Sequence, residues 1–173
     1  MRKRDILKWI ITVAIGIVLI SIPLEHTIFG DQPLNIYYFT IVHFAGYLFF
    51  LLLPVETLVP IYLSAGFNPV LIFFISIVTA TIAQIIDYSV GYSVSEAVIN
   101  KMVGAWRYRR FEKLIGKYGS ITIFVFNLFP LSSSVISLIA GTLRFNFKKT
   151  VFFSILGLSI KYLIIILSFY LFS

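Results

Sequence analysis

The stretch from Val70 to about Tyr92, opened by Asn68-Pro69, limits this chain more than any other feature. Asparagine before proline reads as a helix N-cap with proline at the first helical position, so the stretch is expected to be one helix. At about 1.5 Å per residue it is long enough to cross a hydrocarbon core of about 30 Å. Four more apolar runs accompany it: Ile6–Pro23, Asn35–Leu53, Ile121–Gly141 and Asn146–Phe172. The chain is 60% apolar and 12% charged, whereas soluble domains have about 45–50% and about 25%. This excludes an ordinary soluble enzyme, a disordered regulator and a solvated nucleic-acid binder. An integral membrane protein of about four to six membrane segments remains, folded as a single membrane domain over 1–173. With no cysteine, disulfides, thiolate chemistry and cysteine metal sites are excluded.

Charge placement predicts a topology. All fourteen Lys and Arg except Lys161 fall in three clusters, at 2–8, 101–117 and 144–149. The positive-inside rule puts these clusters in the cytoplasm. Met1–Lys8 is basic and Trp9–Ile22 apolar, with no small-x-small cleavage site after them. An uncleaved first transmembrane helix is therefore expected, with the N-terminus inside and residues 25–34 outside. The helix from Val70 must end inside near Ser93, so it starts outside near Gly66. Residues 35–66 then leave from and return to the outer face. Val55–Gly66 reaches about 18 Å, too short to span. This predicts a re-entrant hairpin. By the same parity Ile121–Gly141 is a second hairpin, entered from the cytoplasm, and the last helix leaves the C-terminus outside. Pro54, Pro60 and Pro130 are the expected hairpin bends. The segments are 1–34 (first helix and outer loop), 35–92 (first hairpin and spanning helix), 93–119 (interfacial basic segment) and 120–173 (second hairpin and last helix).

Residues 54–92 and 130–172 share an order of features. Each has a proline bend, a short limb ending in glycine (Gly66, Gly141), then Phe-Asn (Phe67-Asn68, Phe145-Asn146), Phe-Phe and Ser. The offset is 78 from Phe67/Phe145 through Ser76/Ser154. The expected fold is an all-α integral membrane protein whose two opposed re-entrant hairpins form an inverted repeat. Secondary transporters have this architecture, with sites where broken helices meet near the midplane.

The motifs Leu53-Pro54-Val55-Glu56, Ala65-Gly66 and Asp87-Tyr88-Ser89-Val90-Gly91-Tyr92 resemble the DedA family of the VTT (SNARE-associated) superfamily. Phe126-Asn127-Leu128-Phe129-Pro130, Ala140-Gly141 and Asn146-Phe147-Lys148-Lys149 extend the resemblance to about residues 45–165. It implies two opposed hairpins and the movement of lipids across the bilayer. Bacterial members recycle polyprenyl-phosphate carriers or move phospholipids, and eukaryotic relatives scramble lipids. It makes Glu56 the acid of a Pro-Gly-Glu-like motif and Asp87 the second acid. Where the family often has arginine three residues before and after the second-hairpin proline, this chain has Asn127 and Ser133.

The polar residues at bilayer depth are the candidate transport and substrate-binding residues: Glu56, Asp87, Asn127, Ser132, Ser133, Ser134 and Lys161. A charge at that depth costs about 2.5–3.5 kcal/mol on insertion scales, which makes it a functional candidate by default. Glu56 at a hairpin bend is a candidate for proton exchange. Asp87 lies about 27 Å along its helix, near the cytoplasmic interface, with Arg144 or another interfacial base as candidate partner. Lys161 is about 18 Å beyond Lys149, too deep for easy snorkelling. It is expected to pair with Glu56 or to hold an anionic headgroup. Ser132–Ser134 would open the outgoing limb of the second hairpin, where free N–H groups suit phosphate or carboxylate. The alternative for these serines is simple capping.

Residues 93–119 mix basic and apolar side chains. Val94, Val98, Met102 and Trp106, then Phe111, Leu114, Ile115 and Tyr118, are expected to face apolar surroundings. Arg107, Arg109, Arg110, Lys113 and Lys117 would meet anionic headgroups. The expected partners are membrane lipids, with no nucleic acid; a homo-oligomer stays open. His26 and His43 form no metal or catalytic cluster, and His43 reads as a packing residue. No His-Asp pair, metal cluster, nucleophile-base motif or nucleotide motif is present, so neither an enzyme nor a cofactor is expected. The functional expectation is a DedA-like flippase or scramblase of anionic phospholipid or polyprenyl phosphate in the cell (plasma or inner) membrane, with proton coupling. The alternative is a proton-coupled small-solute or ion transporter.

Overall fold

The structure is a computed structural model that describes residues 34–48, 55–129 and 133–172. The first expected helix, Pro54, Pro130 and Ser132 lie outside these residues. Every regular element among the described residues is helical: α1 (Ile36–Tyr47), a 3-10 turn (Val55–Thr57), α2 (Leu58–Ser64), α3 (Pro69–Ser93), α4 (Glu96–Val103), α5 (Ala105–Tyr118), α6 (Ser120–Leu128), α7 (Ser133–Thr142) and α8 (Phe147–Phe172).

Two of these are long enough to cross a bilayer: α3 with 25 residues and α8 with 26. Asn68 caps α3 as its sequence position predicts, accepting from the Val70 and Leu71 amides, with Pro69 next. The buried side of α3 is Ile72, Ser76, Thr79, Ala80, Ala83, Gln84, Asp87, Tyr88 and Gly91, a helical stripe rich in polar groups. Its exposed side is Val70, Leu71, Phe74, Val78, Ile82 and Ile86. On α8, Ser154, Lys161 and Tyr162 are buried while Phe152, Ile160, Leu163, Ile164 and Leu167 are exposed. Polar residues inside and bulky apolar residues outside suit lipid as the surrounding solvent.

The two long helices run antiparallel. The Tyr88 hydroxyl, late in α3, donates to the Phe145 carbonyl just before α8 (2.5 Å), and its ring packs on Phe147. Helix α1 has only 12 residues, less than the 19-residue apolar run predicted, because the chain turns extended at Leu48. It folds back on α2, and the Tyr62 hydroxyl near the end of α2 reaches the Asn35 carbonyl at the start of α1 (3.1 Å). Helices α6 and α7 form the second such hairpin, whose open end brings Gly119 against the Phe145 ring. Pro60 is not a bend. It is the third residue of α2, within the first helical turn, where its missing N–H breaks no helical bond.

The turns that lead into the long helices are built alike. After α2, Gly66 (φ 84) lets the Gly66 amide bond Leu63 and the Phe67 amide bond Tyr62. After α7, Arg144 (φ 53) does the same, with Arg144 bonding Gly141 and Phe145 bonding Ala140. This is a Schellman closure at both places. The counterpart of Gly66 is thus Arg144, in keeping with the offset of 78, and not Gly141 as the limb-ending pattern predicts. Gly141 serves instead in helix packing. With Gly91 it allows α7 and α3 to touch backbone to backbone, since a methyl at either would overlap the other helix's carbonyls. Because α3 and α8 are antiparallel, the two turns sit at opposite ends of the bundle.

The basic segment is two helices. Gly104 (φ 93) separates α4 from α5. Ile99, Tyr108, Phe111 and Ile115 are its buried residues, while Met102, Trp106 and Tyr118 are exposed on the protein surface. The break at Gly104 resets the helical phase, so one continuous periodicity does not hold across it. Arg107, Arg109, Arg110, Lys113 and Lys117 are all exposed.

Candidate functional site

The end of α1 and the start of α7 meet inside the bundle. Helix α1 ends at Tyr47 and α7 begins at Ser133. The Ser134 hydroxyl donates to the Tyr47 carbonyl, joining one hairpin to the other. Glu56, in the 3-10 turn at the start of the returning limb, lies against the middle of α8. There the Lys161 ammonium sits 2.9 Å from Glu56 Oε1 and donates to the Tyr47 hydroxyl at 2.5 Å. The side chain of Lys161 is 5% exposed and that of Glu56 25%. The rings of Tyr47 and Tyr162 flank the ammonium at 5.1 and 5.3 Å, which adds cation–π attraction to the ion pair.

Residues that sequence reasoning set aside or missed complete this centre. The Tyr47 hydroxyl donates to Glu56 Oε1 (3.1 Å) and the Tyr162 hydroxyl donates to Tyr47 (2.9 Å). His43 bridges Tyr162 through Nε2 (2.7 Å) and Thr79 through Nδ1 (2.7 Å), and is fully buried. His43 therefore does more than pack, although its ring also stacks on Phe39 at 5.2 Å. The sequence held one clue: His43 and Tyr47 are four apart, on one face of α1. Nothing in the chain marks Tyr162 except its place beside Lys161.

A second polar centre lies under the other hairpin. Gln84 donates to the Asn127 side-chain carbonyl (2.5 Å) and accepts from Ser137 (3.1 Å). The Asn127 amide donates to the Ile123 carbonyl and to Ser154 (2.9 and 3.3 Å). All four side chains are buried and neutral. Asn127 thus belongs with Gln84 and not with Glu56 and Lys161, so the single polar path expected from the sequence is two centres. Gln84 of α3 and Tyr162 of α8 are 78 apart, and each bonds a buried polar side chain of a shorter helix, Asn127 of α6 and His43 of α1. Ser133 and Ser134 are buried in the first turn of α7. Asp87 is fully buried on the same stripe of α3 as Gln84. Arg144, its expected partner, lies over the Tyr92 ring at 5.3 Å. Among the described residues no group of three or more His, Asp and Glu is placed to hold a metal ion.

A family model for the VTT domain matches residues 53–171. This chain belongs to the VTT domain family. That is the DedA/VTT domain to which its motifs point, and the match runs from just before Glu56 through almost all of α8. No curated protein matches the chain, and no solved structure does. As a VTT domain protein with two long helices whose outer faces are apolar, it is a membrane protein. The Gln84–Asn127 centre lies within the matched residues, as do Glu56, Thr79, Lys161 and Tyr162, whereas His43 and Tyr47 of the first centre precede them.

Proposed function

We propose that this VTT domain protein moves an anionic lipid, a phospholipid or a polyprenyl phosphate, across the bilayer, with a proton coupled to the movement. The observation that carries the reading is the Glu56–Lys161 pair, its lysine buried and its carboxylate partly exposed, beside the contact of α1's end with α7's start. A lysine at bilayer depth is costly and is retained where it binds or moves something. The turns at opposite ends of the antiparallel pair, with the same hydrogen bonds and an offset of 78, support two re-entrant hairpins in an inverted repeat. The exposed apolar faces of α3 and α8 give acyl chains a surface to follow. The exposed bases of α5 favour its placement against anionic cytoplasmic headgroups of the cell membrane, with the turn at Gly66 outside.

The pair supplies a coupling mechanism. Lys161 is held by the carboxylate of Glu56, which occupies the place a headgroup phosphate would take. Protonation of Glu56 removes that competitor and frees the ammonium for phosphate. Departure of the lipid and of the proton restores the pair. Binding of proton and anion is then mutually reinforcing, which is what coupling requires. Asn127, Ser133 and Ser134 supply neutral donors, with Asp87 towards the cytoplasmic end of α3.

Reconstitution into proteoliposomes tests this. Wild type, Glu56→Gln and Lys161→Ala are compared with labelled anionic phospholipid and a polyprenyl phosphate. Movement by wild type that is lost in Lys161→Ala, at equal reconstitution, is the expected result. Movement untouched by both substitutions removes the site. No movement of any lipid by folded protein turns the reading to a proton-coupled transporter of a small solute or ion.

A further inference from the structure

We propose that His43 and Glu56 share one exchangeable proton through the hydroxyls of Tyr162 and Tyr47. This deepens the transport reading, on which its functional meaning rests. The geometry itself stands on hydrogen counting along one unbroken chain: Thr79, His43, Tyr162, Tyr47, Glu56, with spacings of 2.7, 2.7, 2.9 and 3.1 Å.

Each hydroxyl has one hydrogen to give, and a neutral imidazole has one N–H. With Glu56 ionised and the ring neutral, one arrangement satisfies every link. Thr79 donates to Nδ1, Nε2–H donates to Tyr162, Tyr162 to Tyr47, and Tyr47 to the carboxylate. With one proton more placed on this chain of atoms, two arrangements satisfy every link. In the first the ring holds both protons, Nδ1–H donates to Thr79, and the Thr79 hydroxyl turns to the Ile75 carbonyl, 2.7 Å away. In the second Glu56 is the neutral acid. The Nε2 proton has moved to the Tyr162 oxygen, the Tyr162 proton to the Tyr47 oxygen and the Tyr47 proton to Glu56. The ring is then neutral and keeps its proton on Nδ1. Three protons shift by one place each, three O–H or N–H bonds break and three form, and no heavy atom has to move. The charge leaves the ring and cancels the carboxylate.

Among the described residues, the groups around the ring favour this chain as the proton's path. The His43 ring meets Phe39 and Tyr47 on its own helix, Thr79 on α3 and Tyr162 on α8. Glu56 from the 3-10 turn and Lys161 from α8 are the charged groups of the cluster. Asp87 is about 12 Å further along α3. Ser134 of α7 fixes the Tyr47 backbone from the other side. Glu56 is the partly exposed end and His43 the fully buried one. A proton taken up at Glu56 frees Lys161, and a proton passed inward to His43 restores the pair without leaving the protein. The relay thereby sets whether Lys161 is available to an anion.

The test uses the full chain in lipid nanodiscs, labelled with 15N-histidine and carrying His26→Gln, so that His43 is the sole histidine signal. As pH falls, Nδ1 is expected to pass from bare to protonated in one transition. Glu56→Gln and Tyr162→Phe are each expected to abolish that transition, with Tyr47→Phe as a second break of the chain. A ring that keeps a bare Nδ1 at every pH at which the protein stays folded overturns the proposal. So does a transition that is the same in wild type, Glu56→Gln and Tyr162→Phe. Lipid movement in the same variants separates the two readings. In Tyr162→Phe, movement under a pH gradient is read relative to the same variant's movement at equal pH, and that response to the gradient is expected to be lost; an undiminished response overturns the relay. A wild type that moves no lipid but shows the linked Nδ1 transition overturns the transport reading and leaves proton sharing in place.

Discussion

Lys161 Nζ and Glu56 Oε1 are 2.9 Å apart although 105 residues separate them in the chain. The pair ties the first hairpin to the last helix. Removing one partner from a buried pair leaves a charge without compensation and costs about 3–5 kcal/mol. Glu56→Gln leaves the buried ammonium unpaired, so its loss is expected near the lower end, about 3 kcal/mol, because the site keeps contact with the surroundings on the Glu56 side. The double variant Glu56→Gln/Lys161→Met removes both charges and is expected to recover at least about 1 kcal/mol of that loss. Denaturant or thermal unfolding in one detergent checks the cycle. Additive losses would show that the two charges do not interact.

A tighter geometric constraint lies at the crossing of α3 and α7. Gly91 faces the Leu138 carbonyl and Gly141 the Tyr88 carbonyl, each with no room for a methyl group. Gly91→Ala and Gly141→Ala are each expected to destabilise by at least about 1–3 kcal/mol, the usual range for overpacking. Gly116 in α5 is exposed, with no atom within 4 Å of the added carbon. Gly116→Ala is expected to stabilise by about 0.5–1 kcal/mol through helix propensity. Melting temperatures of the three variants should move in these opposite directions.

The two Schellman turns give a third expectation. Gly66 meets its positive φ without strain, whereas Arg144 holds a left-handed conformation that costs an L-residue roughly 1–2 kcal/mol. Arg144→Gly relieves this and forfeits the stacking on Tyr92, about 0.5–1 kcal/mol at an exposed site. A net gain of up to about 1 kcal/mol is expected. Gly66→Ala, with no compensating contact, is expected to lose about 1 kcal/mol. Paired unfolding curves decide both signs.

How much was legible in the sequence follows from what each signal depends on. The long helices announce themselves through length and the Asn68-Pro69 cap, and α3 begins where that cap places it. Pro54 and Pro130, two of the expected bends, lie outside the described residues, and Pro60 misleads because a proline in a first helical turn looks the same in sequence as one at a bend. The motifs around Glu56 and Asp87 carry the family. Lys161 stands out because one cation among apolar residues has few reasons to exist. The partners of that cation do not stand out, since Tyr47 and Tyr162 are two of ten tyrosines and only the packing of α1 against α8 selects them. Likewise the division of the polar residues into two centres depends on which helix lies between them, and periodicity is silent on that.

The absence of cysteine makes the topology directly testable. Ser64 is exposed at the end of α2, beside the turn into α3, and Lys113 is exposed on α5. The proposed orientation puts these two sites on opposite faces of the membrane, because α3 connects the turn at Gly66 to the basic segment. In intact cells an impermeant maleimide is expected to label Ser64→Cys and to leave Lys113→Cys unlabelled until the membrane is permeabilised. Both substitutions fall on exposed side chains, so folding should be preserved, with a surface change usually within about 0.5 kcal/mol. Labelling of Lys113→Cys alone in intact cells would invert the whole arrangement: the Gly66 turn would then lie inside, and the hairpins would enter from faces opposite to those proposed. Labelling of both from outside would mean that α3 does not cross the membrane, which would remove the structural basis for alternating entry of the two hairpins.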